Sequence, residues 1–242
     1  MNTKQNEIKY VDNLTPKGKK WLYTKPFGSY NYKESASRLR DFSYIVELLS
    51  LDESKKISLL DLGCGSGWTS IMLAKLGLVV TGLDISKKMI NIAKENAKKE
   101  KLKINFIVSD IEKINFKNQF DRVLSYDALH HCPNEIEVLK NAYKALKPGG
   151  IILIIEPNKE HTVDRQAQEI AKKYGILEKG YSPNYLKEKM KKIGFKNIIR
   201  YDYDKKPSPE GIISFLKQIR RLIMIRLLWS NYSFQVWLKA EK

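Results

Sequence analysis

Leu59-Leu60-Asp61-Leu62-Gly63-Cys64-Gly65-Ser66-Gly67-Trp68 is an apolar run that ends at an acid and breaks into alternating glycines. The apolar part reads as a buried strand. The glycines read as a turn whose backbone takes positive φ and approaches a ligand closely, and the helix beyond offers unpaired N–H groups. A dinucleotide fingerprint started at Gly63 and Gly65 requires glycine where the chain has Trp68, and a phosphate-binding loop requires a Gly-Lys-Ser/Thr that does not follow. The turn alone leaves its ligand open, so the flanking sequence decides.

Outward from this turn, short apolar runs alternate with helical stripes, the pattern of a parallel sheet covered by helices. Leu39, Phe42, Ile45, Val46 and Leu49 mark a helix within Ser35 to Leu49, ahead of the strand from Ser58 to Asp61. Thr69 to Leu76 reads as a helix, Val79 to Asp84 as a strand and Lys87 to Lys99 as a helix. Strands follow at Ile104 to Val108 and Phe120 to Ser125, then a helix from Ile136 to Leu146 and a strand from Ile151 to Ile155. The last of these is apolar throughout, as a strand buried on both faces must be. Beyond Pro157 come helices at Asp164 to Tyr174 and Pro183 to Ile193, a strand from Asn197 to Tyr203, a helix opened by Pro207-Ser208-Pro209 and a closing strand from Ser233 to Leu238.

The chain has 242 residues and a formal charge of +17 from 44 Lys and Arg against 27 Asp and Glu. Its 43% hydrophobic content supports a real core and excludes a disordered chain. Most of the positive charge is lysine, scattered in pairs such as Lys87-Lys88 and Lys191-Lys192, which favours solvated helix faces over a nucleic-acid footprint. Cys64 and Cys132 offer neither a disulfide framework nor a zinc-ligand spacing, which points to a reducing cytoplasm. Met1 to Lys9 is too polar for a secretory signal, and Leu222 to Trp229, broken by Arg226, is too short to span a bilayer.

Acids recur where strands end: Asp84 after Val80-Thr81-Gly82-Leu83, and Asp110 after Ile107-Val108-Ser109. In an open α/β sheet such ends line one crevice, and a carboxylate there suits a ribose diol. Together with Ser125-Tyr126-Asp127-Ala128-Leu129-His130-His131 and Leu146-Lys147-Pro148-Gly149-Gly150, these residues resemble the class I S-adenosylmethionine-dependent methyltransferases over about Ser35 to Glu156. They are most similar to the branch that modifies small molecules, lipids and sugars. The resemblance implies a Rossmann-like, seven-stranded, mostly parallel sheet with helices on both faces and an antiparallel last strand. It divides the chain into an N-terminal aromatic lid or helical segment, residues 1–34, and a methyltransferase domain, residues 35–242. That domain has a cofactor half, 35–156, and an acceptor-side half with a helical insertion, 157–242.

By position, the resemblance implies that Gly63, Gly65 and Gly67 shape the loop around the methionine part of S-adenosylmethionine, with the small Cys64 among them. Asp61 would orient the loop and the cofactor's amino group. Asp84 would hold the ribose hydroxyls with Ile85 on the adenine, and Asp110 with Ile111 would meet the adenine edge. Ser125, Tyr126 and Asp127 would line the sulfonium end, and Arg38 or Arg40 is a candidate partner for the cofactor carboxylate.

Methyl transfer is an in-line displacement that needs alignment and no metal. For a hydroxyl acceptor, His130 or His131 is the candidate base, with His161 secondary and Glu156 a candidate to face the acceptor. The leading expectation is a small or carrier-linked acceptor such as a sugar hydroxyl, because Lys25-Pro26-Phe27-Gly28 and Gly67-Trp68-Thr69-Ser70 are similar to segments of surface-glycan methyltransferases. The alternatives are tRNA or rRNA, drawing on the net charge, and a noncatalytic cofactor-binding subunit. The first thirty or so residues, with Tyr10, Trp21, Tyr23, Phe27, Tyr30 and Tyr32, read equally as a packed segment and as a lid. The basic amphipathic helix over residues 209–228 reads as a sheet-edge cover, a pocket cap or a contact with anionic membrane.

Overall fold

The computed structural model describes residues 3–28, 32–52, 54–201 and 235–242. The helix expected over residues 209–228, Tyr30 and the first residues of the expected last strand lie outside these. Among the described residues, three α-helices precede the sheet: α1 (Thr3–Tyr10), α2 (Pro16–Thr24) and α3 (Tyr32–Leu48). The sequence Thr15-Pro16-Lys17-Gly18 starts α2 because the Thr15 hydroxyl caps the Gly18 N–H and Pro16 occupies the first turn. Then come β1 (Ser58–Leu62), α4 (Trp68–Lys75), β2 (Val79–Asp84), α5 (Lys87–Lys99), β3 (Asn105–Val108), β4 (Phe120–Tyr126) and α6 (Glu135–Ala145). The chain continues through β5 (Leu146–Pro157), α7 (Arg165–Tyr174), α8 (Pro183–Ile193), β6 (Lys196–Tyr201) and β7 (Gln235–Glu241).

The seven strands lie in the order β3-β2-β1-β4-β5-β7-β6. Pairs from β3 to β5 are parallel, and β7 runs antiparallel to both β5 and β6. This is the mostly parallel sheet with an antiparallel last strand that the sequence predicts. β5 is longer than the expected Ile151 to Ile155. Leu146 already pairs with Phe120, and the register shifts before Arg122 meets Ile151, so Pro148-Gly149-Gly150 form an irregular stretch of strand.

Alternate residues of each strand serve opposite faces, and both faces are covered. Leu60, Val123, Ile152 and Ile154 pack under α6 and α8 through Val138, Leu139, Ala142, Leu186 and Met190. Leu59, Leu124, Leu153, Ile155 and Trp237 pack under α3 and α4 through Ile45, Leu48, Leu49 and Leu73. Each of the buried Val, Leu, Ile and Met side chains, removed from water, contributes about 1.5–3 kcal/mol. Gly67 explains how tightly α4 and α5 approach: a Cβ there would sit 2.9 Å from both the Ala93 Cβ and the Phe106 ring. The order reverses at β1, where β2 lies on one side and β4 on the other, and the crevice outside that switch point is where open α/β sheets bind ligands.

Candidate active site

At the end of β1 the chain folds into a loop with Gly63, Gly65 and Gly67 all at positive φ, 68°, 52° and 82°. Gly67 in the left-handed region starts α4. The Gly65 N–H donates to Asp84 Oδ2 at 3.0 Å, and the Ser86 N–H donates to Asp84 Oδ1 at 2.8 Å, so the acid closing β2 fixes both the loop and the start of α5. Burial pushes the Asp84 carboxyl up to about 6 against these bonds. Asp61 is 1% exposed and accepts the hydroxyls of Thr69 at 2.7 Å and Ser70 at 2.6 Å, locking the loop to the first turn of α4. Burial pushes Asp61 up to about 6 as well.

A cavity of about 810 Å³ opens at these strand ends. Gly63, Cys64, Gly65, Asp84, Ile85, Asp110, Ile111, Tyr126, Asp127, His130 and His131 all lie on its wall, as do Arg38 and His161. Asp61, Gly67, Ser125 and Arg40 are not among its lining residues. The first three act from behind: Asp61 and Gly67 hold the loop, and the Ser125 hydroxyl donates to Glu156 at 2.8 Å. Tyr126 sits edge-on to Trp68 at 5.5 Å and donates its hydroxyl to Asp41 of α3 at 2.8 Å.

Glu156 does not face an acceptor, which corrects the expectation for it. It has no exposure, and its Oε1 accepts from Ser125 Oγ and from the N–H groups of Ala128 at 3.1 Å and Leu129 at 2.8 Å. Its Oε2 meets the His130 N–H at 3.3 Å and His130 Nδ1 at 2.8 Å. The carboxylate therefore clamps the loop after β4, where Asp127 turns the chain at φ 57°. His130 Nε2 lies 3.7 Å from Glu178 Oε2 and 4.0 Å from Asp127 Oδ1. The His131 ring packs tilted by 41° against His130 with centroids 3.9 Å apart, and its Nδ1 lies 2.8 Å from the Leu177 carbonyl and 3.3 Å from Glu7 Oε1. Burial opposes charge on His131, but Glu7, Glu178 and Asp127 overcome it and hold the imidazole up at about 10.

The N-terminal segment reaches both walls of the cavity. Lys4 Nζ is 2.7 Å from Asp110 Oδ2 and from Glu112 Oε2, Asn6 donates to the Gly175 carbonyl at 3.0 Å, and Tyr10 packs edge-on against Tyr174 at 5.2 Å. Of the aromatic residues expected in this segment, Tyr10 and Trp21 line the cavity, whereas Tyr23, Phe27 and Tyr32 are exposed. Lys25 and Arg38 lie over the Trp21 ring at 3.9 and 4.8 Å, and Arg38 pairs with Glu34 at 3.2 Å. Burial beside Arg38 lowers Lys25 to about 7. Sequence reasoning missed Lys4, Glu7, Lys25 and Glu178. For the first two a signal existed: Lys4, Glu7 and Tyr10 recur every three residues, one face of a helix. Glu178 sits in an irregular segment after α7, where no periodicity marks it.

Residues 53–201 match a family model described as a methyltransferase domain. The chain is 43% identical over 106 residues to a ubiquinone biosynthesis O-methyltransferase of Pelagibacter ubique, 43% of this chain and 44% of that protein. It is 39% identical over 108 residues to the protein of the same name from Coxiella burnetii, 44% of this chain and 45% of that one. It thus spans less than half the length of the curated relatives it matches. Among solved structures, phosphoethanolamine N-methyltransferase 2 of Haemonchus contortus in complex with S-adenosyl-L-methionine superposes with a TM-score of 0.70 at 20% identity, over 98% of this chain and 60% of that one. An S-adenosylmethionine-dependent methyltransferase from Mesorhizobium loti gives 0.63 at 18%, over 85% and 98%. At these identities the structures share the fold.

Proposed function

The chain belongs to the class I S-adenosylmethionine-dependent methyltransferase superfamily, and from that membership we propose that it methylates a hydroxyl oxygen of a small, polar organic acceptor. The observation that carries the reading is His130, whose Nδ1 is tied to the fully buried Glu156 while the ring borders the cavity. A hydrogen bond that fixes one ring nitrogen leaves the other as a proton acceptor.

The residues present fit the cofactor. A Cβ on Gly65 would meet nothing within 4 Å, so the loop's open side has room for a ligand pressed against its backbone. Each Asp84 oxygen accepts one backbone N–H and keeps a further lone pair for a ribose hydroxyl. Ile85 and Ile111 would flank the adenine with Asp110 at its edge, Tyr126 and Asp127 would border the sulfonium, and Arg38 would meet the carboxylate. When bound, S-adenosylmethionine supplies an electrophilic methyl carbon beside a sulfonium leaving group. His130 Nε2 would take the acceptor's hydroxyl proton. Asp127 Oδ1 and Glu178 Oε2 lie 4.0 and 3.7 Å from that nitrogen. α1 and Trp21 act as the lid that excludes water.

The names of the curated relatives support an O-linked, small-molecule product. The acceptor end of the cavity is bordered by His161, Glu160, Asp164 and Gln166, a polar lining that suits an acceptor with several hydroxyls, such as a sugar or a carrier-linked sugar. The same acids, with Glu7 and Glu178, oppose a polyanion, which disfavours RNA despite the net charge. The test is transfer of labelled methyl from S-adenosylmethionine to fractionated cell extract. Label is expected in low-molecular-weight, nuclease-resistant material, and label confined to RNA overturns the reading.

A further inference from the structure

We propose that His130, His131 and Glu178 form a binding site for one divalent transition-metal ion at the acceptor end of the cavity. One ligand atom from each of the three lies within 4.8 Å of the others, and His130 Nε2 and Glu178 Oε2 are already 3.7 Å apart. Two ligands on a tetrahedral ion with bonds of about 2.0–2.1 Å stand roughly 3.4 Å apart, so small side-chain rotations close the site.

The support behind the ligands is what separates this cluster from a chance meeting of polar groups. Metal-bound histidines characteristically give their second ring nitrogen to a carboxylate or a carbonyl, which orients the ring and leaves the other nitrogen for the ion. Both histidines have that arrangement here: His130 Nδ1 is 2.8 Å from Glu156, and His131 Nδ1 is 2.8 Å from the Leu177 carbonyl. The two rings lie side by side, tilted by 41° with centroids 3.9 Å apart, so both histidines border the space that Glu178 shares. Glu178 is steadied in turn by His161 Nε2, 2.8 Å from its Oε2. Glu7 and Asp127 add negative charge beside the histidines. Binding displaces the proton that His131 holds, and two neutral imidazoles with one carboxylate then select zinc-like ions over magnesium or calcium, which prefer all-oxygen sites, with three protein ligands leaving a coordination position toward the cavity.

The consequence for catalysis rests on the reading of His130 as the base: one lone pair on Nε2 cannot both bind the ion and take the acceptor's proton, so occupancy shuts off transfer. The test uses the full chain after dialysis against chelator, titrated with Co²⁺ by visible absorption and with Zn²⁺ by calorimetry. One equivalent is expected, with tetrahedral cobalt bands, and Mg²⁺ should not compete. His131→Ala and Glu178→Gln should each weaken Zn²⁺ at least about tenfold, with S-adenosylmethionine affinity as the check that the variants fold. Absence of stoichiometric binding, or binding undiminished in folded variants, overturns the site. In the label-transfer assay, turnover should fall in proportion to occupancy. Turnover that rises with Zn²⁺ leaves the site standing and removes His130 as the base, whereas turnover unchanged at full occupancy shows that the ion is not on His130 and overturns the proposal.

Discussion

His130 Nδ1 lies 2.8 Å from Glu156 Oε2, and the carboxylate that holds it has no contact with solvent. A buried carboxylate is tolerated only when donors surround it, and Glu156 meets three backbone N–H groups, one hydroxyl and the imidazole. Glu156 is therefore a positioning residue: it shapes the loop that carries both histidines and orients one of them.

Glu156→Gln brings an NH₂ group into this ring of donors. The variant should lose about 1–3 kcal/mol of stability, the cost of an unsatisfied buried polar group. Thermal unfolding checks this. Methyl transfer should drop by about an order of magnitude or more, while S-adenosylmethionine affinity, which rests mainly on Asp84 and the glycine loop, should change less. A variant that retains full turnover removes the pair from the mechanism.

Lys4 bridges Asp110 and Glu112 from a side chain about one quarter exposed at the cavity mouth, and such a solvent-accessible pair adds little to stability, under about 1 kcal/mol. Its effect should be kinetic. Lys4→Met frees α1 from the cofactor side of the cavity, and both association and dissociation of S-adenosylmethionine should quicken several-fold in stopped-flow fluorescence. Rates equal to those of the unaltered chain would mean that α1 does not gate the cavity.

Burial raises Asp84 and Asp61 to about 6, and this sets two opposite pH trends. Below pH 6 a protonated Asp84 offers a ribose diol a poorer acceptor, so cofactor affinity should fall as pH drops from 7 to 5. A carboxyl whose folded pKa lies above its unfolded 3.8 stabilises the fold below that value, and the benefit is lost as pH rises through 6. The ligand-free chain should therefore melt at a higher temperature at pH 5 than at pH 7. Calorimetric titrations and unfolding scans read the two trends separately. Asp84→Asn should weaken binding by about 1.5–3 kcal/mol and remove most of its pH dependence.

Gly65 and Gly67 are two residues apart yet should fail differently. A Cβ at Gly65 meets no protein atom within 4 Å, so Gly65→Ala carries only the strain of φ 52°, about 1–2 kcal/mol, and should fold with weakened cofactor binding. At Gly67 the added carbon collides with Ala93 and Phe106, so Gly67→Ala should lower the melting temperature more than Gly65→Ala does. Reversed effects on unfolding would show that the loop is not packed in this way.

The strands, the glycine loop and the acids at strand ends were legible because each is written in local sequence: apolar runs of strand length, glycines at positive φ, and Asp84 or Asp110 where a run stops. The register and length of β5 were not, because Pro148-Gly149-Gly150 reads locally as a turn while pairing with β4 extends the strand back to Leu146. The inward turn of Glu156 was illegible for a related reason. Nothing within a few residues of it shows that the loop after β4 will present three N–H groups to its carboxylate. Lys4 with Asp110, Glu7 with His131 and His130 with Glu178 are tertiary pairs, and no local period encodes them.

The position of β7 between β5 and β6 also governs how a nascent chain is built. The strands from β2 to β5 each find a neighbour among segments already synthesised, but β6 leaves the ribosome before the strand that joins it to the sheet. Until residues 235–241 emerge, β5 displays Ile151, Ile152, Leu153, Ile154 and Ile155 along an open edge, the kind of surface that pairs with other chains. A chain stalled in translation just short of Gln235 thus carries a complete glycine loop beside an aggregation-prone border, and chaperone capture of such stalled chains should cease once β7 has been made.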